Sequence, residues 1–118
     1  MKLLIAGSRS IVDYGLIDAL LWDVSGITEI VSGCARGADQ LGETWAARNG
    51  IPVVRFPANW DRFGKAAGVY RNAEMAAYCD RGMILWDRES SGTVDMIDKL
   101  RRTCKPYEVW GGEGLRVA

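Results

Sequence analysis

The sequence predicts an α/β fold: a three-layer, Rossmann-like, doubly wound and mainly parallel sheet of five strands. Short apolar runs suited to buried strands recur at Leu3–Gly7, Glu29–Gly33, Pro52–Pro57, Gly82–Trp86 and Tyr107–Trp110. Between them lie segments whose apolar residues recur at helical spacing. Strands alternating with helices imply βαβ units, right-handed crossovers and a strand order such as 3-2-1-4-5.

Each element has a local reason. Leu3-Leu4-Ile5-Ala6-Gly7 is apolar without alternation, as in a strand covered on both faces. Asp13 opens a helix in which Leu16, Ile17, Leu20, Leu21 and Val24 form one stripe. A second helix runs from Ala38 to about Arg48 with Leu41, Trp45 and Ala46 inward, and Asn49-Gly50 stops it. Pro52 takes the first position of the third strand, where a missing N–H does no harm. The segment Ala58–Gly68 reads as a long loop. A third helix is expected from about Val69 to Cys79 and a fourth from Gly92 to Arg102, with Val94, Ile97 and Leu100 facing in. Met75, Ala76 and Ala77 make a small-residue face that suits the sheet or a second copy of the chain, so a homo-oligomer is one expectation. Trp22 and Trp45 read as core or oligomer contacts, Trp86 as a pocket wall, and residues 111–118 as a loose tail.

The 118 residues suit one domain, 1–118, large enough to bury an apolar interior without staples. Fifteen basic and fifteen acidic side chains cancel, which disfavours nucleic acid as a partner held by a bulk field. Histidine is absent, which removes Ser-His-Asp and Cys-His catalysis, the usual His metal clusters and an imidazole pH switch. Cys34, Cys79 and Cys104 are odd in number and form no CxxC pair, so neither a zinc site nor a disulfide framework is expected, and no metal or cofactor is implied. The first apolar run is too short for a signal segment and no membrane-length stretch follows, so the expected compartment is the cytoplasm, with no membrane partner.

Ligands of open parallel sheets bind beyond the carboxyl ends of the strands. There the sequence places Gly7-Ser8-Arg9, then Ser32 to Asp39, then Ala58 to Gly68, then Asp87 to Thr93. Glycines let backbone N–H groups approach phosphate oxygens, and a helix N-terminus adds partial positive charge. Ser32, Gly33, Arg36, Gly37 and Asp39 in one bend, and Ser90, Ser91, Gly92 and Thr93 in another, are therefore candidate binders of a phosphorylated ligand. The first bend is neither GxGxxG nor a Walker loop. Each bend also reads as a plain helix start, with Asp39 favouring the dipole and the hydroxyls capping. In the intervening loop, Trp60 or Tyr70 suits stacking on a base and Lys65 and Arg71 suit phosphate, while Phe63 reads as packing. Arg9, Arg36, Arg62, Arg71 and Arg88 all fall on strand-end segments, a local basic bias in a neutral chain. Arg71 is expected to open a helix, an end that disfavours a cation unless a ligand needs it. Cys34 reads as a small filler, with a reactive thiol as the alternative.

Gly7-Ser8-Arg9, Ser32-Gly33-Cys34-Ala35-Arg36-Gly37-Ala38-Asp39, Pro57-Ala58-Asn59-Trp60, Gly68-Val69-Tyr70-Arg71-Asn72-Ala73-Glu74-Met75 and Ser91-Gly92-Thr93 occur in this order. Together they resemble the SLOG superfamily, which includes DprA and the Lonely Guy phosphoribohydrolases, in its small YspA-like (YpsA-related) branch of bacteria and phages. The resemblance implies a Rossmann-like sheet and a nucleotide or nucleotide-derived, ADP-ribose-like ligand, with Gly7, Ser8, Arg9 and Asn72 joining the two bends in its site, and Asp87 is a further candidate by its place after the fourth strand. In the Lonely Guy enzymes an Arg in an Arg-x-x-x-Met helix start and a Glu after a Gly-Gly-x-Gly-Thr turn cleave the base–ribose bond. Arg71 with Met75 matches the first element. In the second, Met96 stands where that Glu would fall, and Asp95 comes one position early, about 100° round the helix.

The first expectation is thus a non-catalytic nucleotide binder, acting as a sensor or a sequestering protein. An N-glycosidic hydrolase of nucleoside monophosphates, with Arg71 and Asp95 (or Asp87) as catalytic residues, is the alternative. Single-stranded DNA binding in the manner of DprA is a remote third.

Overall fold

The computed structural model describes residues 1–118. Strands β1 (Lys2–Gly7), β2 (Glu29–Ser32), β3 (Val53–Arg55), β4 (Arg81–Leu85) and β5 (Tyr107–Trp110) form one sheet in the order β3-β2-β1-β4-β5. All four pairings are parallel. The winding reverses between β1 and β4, where a doubly wound sheet opens a crevice at its carboxyl edge. The fold is therefore the Rossmann-like α/β class that the alternating runs predict.

Helices cover both faces. Leu3 and Ile5 of β1 join Ile30, Met83 and Leu85 under helices α1 (Tyr14–Leu21) and α2 (Ala38–Arg48). Leu4 and Ala6 point the other way and join Val31, Ile84 and Val109. That second core lies under α4 (Ala67–Tyr78) and α5 (Ser91–Arg102). Successive side chains of a strand alternate in direction, so a strand buried on both sides must be apolar at every position.

Local chemistry sets the helix ends. The Asp13 carboxylate accepts from the Gly15 amide at 3.0 Å and caps α1. This helix closes at Leu21, earlier than its apolar stripe suggests; Val24 lies beyond it and Trp22 is 85% exposed, so only Trp45 of that pair enters the core. Ser90 caps α5 through its hydroxyl and the Thr93 amide. The buried positions of α5 are Thr93, Met96 and Leu100, and Val94 is exposed. Val94 sits about 100° round the helix from Thr93, off the stripe that meets the sheet.

Three segments differ from the sequence expectations. The stretch read as a loop holds a short helix α3 (Trp60–Phe63), capped by Asn59 onto the Arg62 amide at 3.1 Å, and a 3₁₀ turn over Gly64–Ala66. In consequence α4 begins at Ala67, and Arg71 lies in its second turn instead of at its opening. The expected repulsion between a cation and a helix N-terminus is correspondingly weaker there. Residues 111–118 are not a loose tail. They turn at Gly111–Gly114 and return antiparallel to β5, with Val109 bonded to Val117 and Ala118 and Trp110 bridged to Arg116. Backbone pairing along an otherwise free strand edge is what orders them.

Of the small-residue face, Met75 and Ala76 are buried against the sheet and Ala77 is exposed. No helix is long and apolar enough to cross a membrane.

Helix α2 crosses β1 so closely that a Cβ at Gly42 would stand 2.8 Å from the Ile5 Cβ. Gly42→Ala sets two effects against each other. Helix propensity favours alanine by about 1 kcal/mol, whereas overpacking between two rigid elements costs about 1–3 kcal/mol. The clash dominates. Gly42→Ala is expected to lower the urea midpoint, whereas a rise would show that α2 can move off the sheet.

Candidate functional site

One residue ties the carboxyl edge together. Ser8, directly after β1, is fully buried. Its amide donates to the Leu85 carbonyl at 2.8 Å, its carbonyl accepts from the Ala38 amide at 3.2 Å, and its hydroxyl accepts from the Asp87 amide at 2.9 Å. These bonds hold β4, the start of α2 and the loop before α5 to one point. Glycine is needed on both sides of it. A Cβ at Gly7 would lie 1.8 Å from the Leu85 carbonyl oxygen, and one at Gly37, where φ is 73°, would lie 2.4 Å from the Ser8 carbonyl oxygen.

Around this point opens a cavity of about 580 Å³. Ala6 and Gly7 line it at the end of β1, Arg9 and Ser10 just after, Ala35 from the bend before α2 and Asp39 from the first turn of α2. Trp60, Lys65, Gly68, Val69, Arg71, Asn72 and Met75 line it from α3, the 3₁₀ turn and α4. Asp87, Ser90, Ser91, Gly92, Thr93, Asp95 and Met96 complete the wall. The two bends therefore meet at one cavity, the first through Ala35 and Asp39 only and the second through Ser90 to Thr93. A second cleft of about 440 Å³ adjoins it, lined by Gly33, Cys34, Arg36, Pro57 and Ala58 and sharing Arg9, Ala35, Trp60 and Arg71 with the first.

The amides of the bends are unequally committed. Cys34 N–H donates to the Ser32 hydroxyl at 3.1 Å and Ala35 N–H to the Asp39 carboxylate at 3.2 Å. Thr93 N–H is taken by Ser90. The Ser91 and Gly92 amides, at the first turn of α5, have no acceptor within the protein. They are the orphan donors of a helix start, open toward the cavity wall.

A chain of polar contacts crosses the floor. Arg71 donates through Nη1 to the Gly33 carbonyl and through Nε to the Asn72 side-chain oxygen at 3.1 Å. Buried Asn72 passes this on, its Nδ2 donating to Asp95 at 3.0 Å. Asp95 in turn accepts from Lys99 at 2.7 Å. The guanidinium is held in place with its remaining N–H groups unspent.

The carboxylates differ in state. Burial pushes the Asp39 carboxyl up, against the lowering pull of the Ala35 amide, Arg71 and the Gly7 amide. Asp87 is held down at about 2 by the amides of Glu89 and Ser90, each 2.9 Å away, and by the hydroxyls of Ser10 and Ser8. Partial burial and Glu43 push the Cys34 thiol up, which is the reverse of an activated thiolate. Cys34 is also exposed, so it fills no core space.

Several expected binders are placed elsewhere. Ser8 and Ser32 are buried outside the cavity wall; Ser32 donates to Glu43 at 2.7 Å, and Glu43 also holds Arg55 at 2.9 Å. Gly37 serves the close approach to Ser8 and does not line the cavity. Gly33 and Arg36 line the second cleft only. Arg62 lies over the Phe63 ring and Arg88 pairs with Glu113, so neither faces either cavity. Phe63 packs edge-on against Tyr70, with ring centroids 4.7 Å apart, and Tyr70 stays off the wall. Trp86 donates to the Ser90 carbonyl at 3.3 Å and so props the α5 turn from behind. Asp95, the carboxylate of the hydrolase alternative, is part of the wall. Ser10, Ala35, Gly68, Val69, Met75 and Met96 were not anticipated as wall residues; their helical periodicity or strand-end position was the available signal.

The profile of YAcAr, described as the YspA, cpYpsA-related SLOG family, matches residues 1–63. No curated protein matches the chain in sequence. Among solved structures, DNA processing protein A (DprA) from Streptococcus pneumoniae is similar with a TM-score of 0.73 at 18% identity. The match covers 93% of this chain and 49% of that one, so the chain spans about half the length of this neighbour. At that identity the likeness bears on the fold.

The depressed Asp87 carboxyl has a defined pH signature. A group with a lowered folded pKa adds stability above its unfolded value, near 3.9, and loses that contribution as pH falls through its folded value of about 2. The stability gap between the native chain and Asp87→Asn is expected to stay constant from about pH 7 to 5 and to close between about pH 4 and 2. Urea midpoints across that range check it, and a gap independent of pH would contradict the amide cradle.

Proposed function

The chain belongs to the YspA, cpYpsA-related SLOG family, and we propose that it binds a nucleotide or nucleotide-derived, ADP-ribose-like phosphorylated ligand in the cavity at the carboxyl ends of its strands. The single observation behind this reading is the meeting of the two bends on one cavity of about 580 Å³, a size suited to a nucleotide. At its wall the Ser91 and Gly92 amides offer unspent donors beside the Arg71 guanidinium. A phosphate placed there gains helix-end amides and a charge-assisted bond together. Trp60 supplies a flat apolar surface for a base, and Lys65 a second cation. Asp39, Asp87 and Asp95 suit ribose hydroxyls, which donate to carboxylates.

The binder acts as a sensor or sequestering protein. Met96, at the position of the Lonely Guy glutamate, is apolar and buried, and cannot stabilise a developing oxocarbenium ion. One observation favours a second reading, N-glycosidic hydrolysis: the Asp95 carboxylate is part of the cavity wall. Its two oxygens are already engaged by Lys99 and Asn72, which lowers its value as a charge stabiliser.

Calorimetry against nucleoside phosphates and linear and cyclic ADP-ribose derivatives tests the reading. At least one is expected to bind, and Arg71→Ala to weaken it about tenfold or more. Silence across the panel would end the proposal. AMP, GMP, CMP and UMP are expected to release no free base; release that disappears in Asp95→Asn would replace binding by hydrolysis.

A further inference from the structure

We propose that the second cleft is a phosphate-selecting lobe, so that the ligand is a nucleotide carrying at least two phosphoryl groups. The inference rests on the reading of the main cavity as a nucleotide site and adds to it the length of the phosphate chain.

The arginines of this chain are sorted by partner. Five of them, at 55, 81, 88, 101 and 102, pair with a carboxylate. Arg48 and Arg62 lie over aromatic rings, and Arg116 donates to the Ala118 carbonyl. Arg71 has neutral partners only. Arg9 and Arg36 have no partner of any kind. Four arginines have neither a carboxylate nor a ring, and three of them, Arg9, Arg36 and Arg71, line the second cleft; Arg116 is the fourth.

No acidic residue lines that cleft, although the Asp39 carboxylate reaches Gly33 from the main cavity, whose wall also holds Asp87 and Asp95. In a chain of zero net charge this separation is local, not a consequence of composition. Three like charges around one concave surface repel each other, and a multiply charged anion relieves that repulsion. One phosphoryl group sits at the α5 amides beside Arg71, and the next along the chain reaches the arginines of the cleft. Arg9, Ala35, Trp60 and Arg71 belong to both spaces, so one ligand can reach across. Gly33 lets the Arg71 guanidinium pack against this bend: a Cβ there would lie 2.8 Å from its Nη1 and 2.9 Å from an Asp39 carboxylate oxygen.

The test compares the mono- and diphosphates of each nucleoside, with inorganic pyrophosphate as a probe of the cleft alone, on the native chain and on Arg36→Ala. Arg36 is exposed, so its truncation leaves the core intact, and a thermal melt confirms folding. The diphosphate of the preferred nucleoside is expected to bind about ten- to a hundredfold tighter than its monophosphate, and that ratio to fall towards one in Arg36→Ala. Equal binding of mono- and diphosphate, or a ratio unchanged in Arg36→Ala, overturns the lobe while the nucleotide reading stands. Binding of pyrophosphate without any nucleotide keeps the lobe and removes the nucleotide reading. Silence from every probe removes both. Single-stranded DNA that displaces the diphosphate at equal phosphate concentration would overturn the small-ligand assignment.

Discussion

The site depends on the hydrogen bonds that converge on Ser8. A central strand of a parallel sheet ends with its backbone groups needing partners, and here a single buried residue finds them on β4, at the start of α2 and in the loop before α5. Each such bond contributes about 1 kcal/mol net, but leaving a buried donor or acceptor unmet costs about 1–3 kcal/mol. The spacing of the two bends is therefore set by backbone geometry and not by flexible side chains. Gly7 and Gly37 are what allow three chain segments to come this close. The outline of the cavity is thus fixed by bonds made within the backbone frame.

Charge is arranged around that rigid frame. Asp87 spends its carboxylate on the loop that precedes α5, and Asp95 spends its own on Asn72 and Lys99. Asp39 closes the first bend by accepting from Ala35. All three acids of the cavity wall thus have structural tasks, while the cations at Arg9, Arg36 and Lys65 are left without protein partners. The site accordingly sets unspent donors beside satisfied acceptors.

Much of this was legible in the amino-acid sequence. Continuous apolar runs reported strands buried on both faces, and their alternation with helical stripes reported the parallel, doubly wound sheet. Strand-end position correctly marked Arg9, Asp39, Arg71 and Ser90 to Thr93 as neighbours of one cavity. It could not report side-chain direction. Ser8 and Ser32 carry the same hydroxyl as Ser91, yet they turn inward because the Asp87 amide and Glu43 wait there, and those partners are distant in sequence. The helical turns over Trp60–Ala66 were hidden because four residues make too short a stripe to show a period. The return of residues 111–118 was hidden for another reason: it is made by backbone bonds, which composition does not report. Family membership rests on residues 1–63, which span β1 to α3, so the second bend and Asp95 lie outside the matched segment.

The antiparallel return of the last residues also changes how the molecule meets its own copies. Pairing of Val109 with Val117 and Ala118 seals the rim of the sheet at β5. The opposite rim, β3, is only Val53–Arg55, bounded by Pro52 and Pro57. Prolines at a rim deny an incoming strand the amides it would pair with, and three residues give it little length to grip. Both borders of the sheet thus give an incoming strand little to add to.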